Sequence, residues 1–293
     1  MTIKHLVLSG GGLLGLATLG CLHKLLELKK ININEIETIH ATSVGSLISL
    51  LLCFHKLGID NIMIKDYFIE RPFEDVYKMS IQKIIDLYHN NGLFDQTTIF
   101  ELFKPFFQIL ELDMMITMKE IYELTKIEIY IFSVNINSFK STEISYKNSE
   151  IPILHAIYMS CSLPIFFKPL NFDNNYYIDG SLLCNYPMKQ CIEMNYNNEE
   201  ILGIYFVKHE NTNIKDNNNN ILIFILILLY NLILMINNTL NIYSSEKINE
   251  LPLSLNVSFQ NFKDIFYHQE ERISLYKVGE NHAYTAVFKK SIK

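Results

Sequence analysis

Strand-like and helix-like runs alternate along the start of this chain, and their order predicts an α/β fold with a mostly parallel central sheet. Short apolar runs at 6–8 and 38–41 each end in a cluster of small residues. Helical spacing of apolar residues begins directly after each cluster, at 16 and at 44. Strand, helix, strand and helix in alternation with short connections are the signature of a mostly parallel sheet covered by helices.

Leu6, Val7 and Leu8 read as a buried strand that ends at Ser9-Gly10-Gly11-Gly12-Leu13-Leu14-Gly15. A helix is predicted over 16–30, with Leu19, Leu22, Leu25 and Leu26 on one face and two closing lysines that suit its C-terminal dipole. The second strand is 38–41 and the second helix 44–57, stopped by Gly58. From 59 to 116 the periodicity weakens. Residues 81–88 read as a helix, 90–92 as a turn and 97–107 as a helix carrying Pro105. This stretch is expected to form a helical layer of the core, with an apolar pocket as the alternative. A helix follows at 119–125, a strand at 128–134 with a partner at 143–145, and a helix at 151–160. Residues 176–181 read as a strand ending on a carboxylate and a glycine turn, and 201–207 as a further strand. A polar loop at 216–220 precedes the most apolar run of the chain, 221–236. The end of the chain, including 264–277, reads as strand then helix.

Bulk composition narrows the function. Hydrophobic residues make up 49% of the 293 and charged residues 19%, enough apolar surface for a sizeable core. A net charge of −6 argues against nucleic acid as a partner. The five cysteines are scattered with no C-x-x-C pair, so neither a disulfide framework nor a zinc site is indicated. The first residues enter a strand with no apolar leader, which points to an intracellular, cytoplasmic protein. The run 221–236 is shorter than the ~20 apolar residues a membrane span needs, and asparagines follow it. It is expected to be a helix packed on the sheet, or else one lying in a membrane interface.

Three stretches carry chemistry. Ala41-Thr42-Ser43-Val44-Gly45 is a G-x-S-x-G elbow with alanine at its first glycine, placing Ser43 on a tight strand-to-helix turn as a candidate nucleophile. Gly10, Gly11 and Gly12 sit at a helix start, where backbone N–H groups can hold an oxyanion. With Gly15 they also match the spacing of a dinucleotide fingerprint. That motif needs an acidic residue at the end of the next strand, and His40-Ala41-Thr42-Ser43 stands there instead. Asp179-Gly180 ends a strand, and its carboxylate could take a proton from Ser43, although nothing in the chain sets their separation.

Taken together, these stretches resemble the patatin-like phospholipase family, from about Leu6 to Val207. The family's Gly-Gly-Gly loop, elbow serine and Asp-Gly-[Gly/Ala] correspond to Gly10–Gly15, Ala41–Gly45 and Asp179–Ser181. Ser160 to Pro169 is similar to its Ser-x-x-x-Pro-x-x-Phe-x-Pro segment, and Asp179 to Pro187 to its Asp-Gly-Gly-x-x-x-Asn-x-Pro run. The resemblance implies a three-layer α/β/α sandwich and a Ser43–Asp179 dyad without histidine. It further implies an oxyanion hole at Gly10, Gly11 and Gly12, supported by Gly15, Ala41, Gly45 and Gly180. The implied substrates are phospholipids or neutral acyl lipids, with no cofactor or metal. Leu14, Ala41 and Ser181 depart from the family pattern, and Leu14 removes a basic residue from the loop. The chain is expected to be one domain, 1–293, with its motifs in 6–207 and a C-terminal extension, 208–293, holding an apolar helix near 221–240. Peripheral membrane contact is expected through 221–236. Two alternatives remain open: a Ser–His–Asp esterase using His209, His268 or His282, and a lipid-binding scaffold on the same fold.

Overall fold

The computed structural model describes residues 2–71, 87, 89, 91–148, 150–207, 221–240, 243, 247–255, 264–265 and 267–289. In chain order the elements are β1 (His5–Leu8), α1 (Gly15–Glu27), β2 (Thr38–Thr42), α2 (Val44–Lys56), α3 (Asn61–Glu70), β3 (Gly92–Phe94) and α4 (Thr97–Ile109). Then come α5 (Met118–Thr125), β4 (Glu128–Asn135), β5 (Lys140–Ile144), α6 (Ile153–Cys161), β6 (Ile165–Phe167), β7 (Leu170–Phe172) and β8 (Asn175–Asp179). The last are α7 (Ser181–Cys184), α8 (Met188–Glu193), β9 (Ile201–Val207), α9 (Ile221–Leu240), β10 (Asn249–Ser254) and α10 (Gln269–Lys289).

Among the described residues one eight-stranded sheet runs β10-β9-β1-β2-β4-β8-β7, with β5 also paired to β4. The pairs from β10 to β4 are parallel, and β5, β7 and β8 add antiparallel pairs at one side. β1 and β2 are buried along their whole length, as strands covered on both faces must be. One face presents Leu6, Leu8, Ile39, Ala41, Ile129, Ile131, Leu202 and Ile204 to the main core, which takes in α1, α2, α4, α6 and α10. The other face carries Val7 and Ile201 against Met188 and Cys191 of α8, and Tyr130 and Phe132 against Cys184 of α7. The three-layer α/β/α sandwich follows from this alternation, with one thick and one thin helical layer.

Several expectations shift on contact with the fold. The 90–92 turn leads at once into β3, which pairs with β6 in a separate two-stranded sheet. The helix expected over 81–88 and the loop over 216–220 lie outside the described residues, apart from Leu87. The apolar helix spans Ile221–Leu240, as expected. The closing strand falls at Asn249–Ser254, ahead of the 264–277 stretch expected to hold strand then helix, and the helix starts at Gln269. β10 extends the parallel sheet beside β9 and tolerates Pro252 because it sits at the edge of the described strand order. α10 returns to the beginning of the chain, where the Tyr276 hydroxyl and His23 Nδ1 of α1 are 2.8 Å apart.

Candidate active site

β2 ends at Thr42 and α2 begins at Val44, so Ser43 alone turns the chain. Its φ of 52° and ψ of −124° are rarely adopted by a residue with a side chain. Such a conformation costs about 1–3 kcal/mol and survives only where the surroundings enforce it. Small neighbours make the turn possible. A Cβ on Gly45 would stand 2.6 Å from the Leu8 carbonyl oxygen, and the Ala41 methyl is already fully buried. The Ser43 N–H donates to Ser160 Oγ at 2.8 Å, and that hydroxyl donates to the Phe132 carbonyl at 2.5 Å. Ser46 Oγ donates to the Ser43 carbonyl at 2.6 Å. The backbone of the elbow is therefore held from both sides, and the Ser43 hydroxyl is left for something else.

That something is Asp179. Ser43 Oγ donates to Asp179 Oδ2 at 2.8 Å, across 136 positions of chain. β4 is the ruler that brings them together. Thr42, the last residue of β2, pairs with Phe132, and Asp179, the last residue of β8, pairs with Ser133. Residues 133–135 of β4 also pair with β5, so β8 must occupy the same edge as β2. The two strands run toward each other along that edge and end at adjacent registers. A Cβ on Gly180 would lie 2.1 Å from the Phe132 carbonyl oxygen, so only glycine fits where they meet.

Asp179 is 3% exposed. Burial pushes its carboxyl up to about 6, against the opposing pull of the Ser181 N–H, the Ser181 hydroxyl and the Ser43 hydroxyl. The Ser181 N–H donates to Oδ1 at 2.8 Å, leaving Oδ2 to Ser43. A carboxylate of that basicity, ionised at neutral pH and bonded to a hydroxyl, is equipped to accept its proton. Cys161 Sγ lies 3.8 Å from Ser46 Oγ, and burial pushes its thiol far above the usual range, so it stays neutral beside the pair.

The glycine loop passes directly over this pair. A Cβ on Gly10 would be 3.2 Å from Ser43 Cβ, and Gly15 packs against Val44. The three predicted donors are not equivalent. The Gly10 N–H is committed to the Asn185 carbonyl at 2.9 Å. Gly11 is half-buried and Gly12 exposed with φ 57°, and their amides carry no hydrogen bond among the described residues. The expected trio thus narrows to two available donors, because the Gly10 amide is already satisfied. Leu14 packs against the main core rather than facing the site with a charge.

Of the histidines weighed above, His209 lies outside the described residues, His268 is exposed, and His282 Nε2 lies 3.3 Å from the Ser254 carbonyl. None of the described histidines bonds to Ser43. Among the described residues no three His, Cys, Asp or Glu side chains gather as a metal site. An open cavity of about 860 Å³ lies away from Ser43, near the end of α1, lined by His23, His55, Lys65 and Tyr276. Asn185, whose carbonyl holds Gly10, and Ser160, the acceptor for the Ser43 N–H, are not among the expected site residues, although both lie inside the family-like stretches 179–187 and 160–169. Asn237 of α9 lies in neither stretch. Its Oδ1 accepts from the Asn185 N–H at 2.6 Å and its Nδ2 donates to the Ser181 carbonyl at 2.8 Å.

The family model for patatin-like phospholipase matches residues 6–192. The chain is 31% identical over 200 residues to a probable lipid hydrolase, 463L, of Invertebrate iridescent virus 6, covering 67% of this chain and 65% of that protein. It is 27% identical over 210 residues to the uncharacterized protein R571 of Acanthamoeba polyphaga mimivirus, covering 71% and 66%. The chain thus spans just under two thirds of the length of these relatives. Among solved structures, VipD from Legionella pneumophila has the same fold, with a TM-score of 0.57 at 15% identity over 99% of this chain and 67% of VipD.

Proposed function

The chain belongs to the patatin-like phospholipase family, and from that premise we propose that it is a lipid acyl hydrolase working through Ser43 and Asp179. The observation that carries the proposal is the 2.8 Å bond from a strained elbow serine to a buried carboxylate. Ser43 Oγ attacks the ester carbonyl carbon while Asp179 Oδ2 takes its proton. The oxyanion that forms is received by the amides of Gly11 and Gly12, which carry no hydrogen bond among the described residues. The tetrahedral centre collapses, the C–O bond to the alcohol breaks, and Asp179 returns the proton to the leaving oxygen. A water then gives a proton to Asp179 and attacks the acyl-Ser43 carbonyl, and as the bond from the acyl carbon to Ser43 Oγ breaks, Asp179 returns that proton to Oγ and the fatty acid is released. No step calls for a metal or cofactor.

The substrate class is phospholipids or neutral acyl lipids, with phospholipase A-type cleavage of carboxylic esters. Access to such substrates is through peripheral contact of α9 with a lipid surface. Phe224, Leu228, Leu232 and Met235 stand 41–62% exposed at helical spacing, and the described part of the helix has no charged residue. Among the described residues no helix is long and apolar enough to cross a membrane.

A fluorophosphonate probe tests the chemistry. It labels wild type at Ser43 and leaves Ser43→Ala unlabelled. Protein that binds phospholipid vesicles yet neither labels nor hydrolyses any ester is a scaffold on this fold, and the proposal fails. Leu228→Asp reduces sedimentation with vesicles while leaving the melting temperature unchanged, and equal binding by the variant removes α9 as the contact.

A further inference from the structure

The apolar helix is tied to the reacting groups by one polar side chain. α9 carries Asn237 near its end, and its amide group bonds to the Ile233, Ser181 and Asn185 backbones. Nδ2 donates to the Ile233 carbonyl within the helix at 2.8 Å and to the Ser181 carbonyl at 2.8 Å. Oδ1 accepts from the Asn185 N–H at 2.6 Å. Both outside partners belong to the site. Ser181 is the residue whose N–H holds Asp179 Oδ1, so the placement of its backbone bears on the rotamer and the ionisation of the carboxylate. Asn185 is the residue whose carbonyl holds the Gly10 N–H, so its backbone fixes the height of the glycine loop. One carboxamide therefore spans the turn that carries the base and the strut beneath the oxyanion loop. α7, which lies between those two contacts, is a single turn and could not hold them rigidly by its own hydrogen bonds.

We propose that Asn237 is a positioning residue that couples the seating of the apolar helix to the geometry of the Ser43–Asp179 pair and the glycine loop. The inference rests on the hydrolase function proposed above. When α9 is seated, the Ser181 and Asn185 backbones are held and the pair is aligned. When α9 lifts, the Ser181 N–H drifts from Oδ1, Asp179 loses a donor to its charged form, and the Gly10 strut loosens. The same helix bears the exposed apolar stripe, so contact with a lipid surface and order in the site are linked through one side chain.

The test uses the full chain, a soluble p-nitrophenyl ester and no lipid, so that membrane binding does not enter. Asn237→Ala is expected to lower kcat about tenfold with KM within roughly twofold of wild type, because alignment rather than ground-state binding is lost. Its acidic pH limb moves upward, since Asp179 has lost support for its anion. A helix that merely packs would leave the limb in place. If Asn237→Ala folds poorly, Asn237→Asp keeps the acceptor for the Asn185 N–H, loses the donor to the Ser181 carbonyl, and moves the limb the same way. Asn238→Ala, the exposed neighbour, changes neither kcat nor the limb. Wild-type kcat and an unmoved limb in both Asn237 variants, with wild type active, overturn the coupling alone. A wild type that neither hydrolyses the ester nor takes the fluorophosphonate overturns the hydrolase function and the coupling together.

Discussion

Asp179 and His40 are both titratable and both sealed in the same sheet, yet their surroundings have opposite designs. Asp179 receives the Ser181 N–H and the Ser43 hydroxyl, so its anion keeps partners even though burial lifts its pKa to about 6. His40 is stacked on Tyr130 with ring centroids 4.4 Å apart and 10° between planes, and among the described residues neither ring nitrogen has a hydrogen-bond partner. Burial pushes its pKa down to about 3, so it is a neutral aromatic plate. The two lie on opposite sides of the register: Ser43 continues the Ile39–Ala41 face of β2, and His40 points to the other. Burial alone perturbs both groups. What distinguishes the carboxylate proposed to react from the ring that packs is the set of donors aimed at its charged form.

Substitutions at the two residues should therefore diverge sharply. Ser43→Ala and Asp179→Asn each lower ester turnover by roughly a thousandfold or more, with the double variant little worse than either, because the pair acts as a unit. Comparable turnover by either single variant would erase the distinction drawn above. Next in size is the pH response. In the proposed mechanism Asp179 must be ionised to accept the proton, so kcat/KM is expected to fall below about pH 6 and to drop roughly tenfold for each further pH unit. His40→Phe leaves that limb where it is.

Stability should separate the two residues with opposite signs. The folded pKa of Asp179 lies above its ordinary value of 3.8, so the native state favours the proton and loses stability as pH rises through about 6. Asp179→Asn is then expected to melt no lower than wild type at pH 8, an advantage that disappears near pH 4. Gly45→Ala, whose Cβ would meet the Leu8 carbonyl at 2.6 Å, should cost on the order of 2 kcal/mol in denaturant unfolding and mark the steric demand of the elbow. The smallest effect belongs to His40→Phe, within roughly 1 kcal/mol at pH 8. His40 has a folded pKa of about 3 against an ordinary 6.5, so wild type loses stability as pH falls through that interval and the phenylalanine variant does not. An unchanged acid profile would mean that His40 has a partner after all.

Some of this was legible residue by residue. The strand–serine–helix elbow is a local steric problem, solved by Ala41 and Gly45 within a few positions, and so it leaves a pattern in the chain. The first two strand–helix units obey the same logic, because hydrophobic period and capping act over one or two turns. The end of the chain was read less well. The asparagines that follow the apolar run argue, in the sequence, only against a membrane span, whereas Asn237 in the fold bonds to the Ser181 and Asn185 backbones.

The amino-acid sequence by itself determined the fold class, the elbow at Ser43, the glycine loop and the candidacy of Asp179, because each depends on short-range sterics and periodicity. Only the tertiary structure decided that β2 and β8 end head to head on β4, that the Gly10 amide is occupied by Asn185, and that Asn237 reaches back to both. Those outcomes are set by strand register and helix docking between segments far apart in the chain, where no local pattern records which neighbour a hydrogen bond will find.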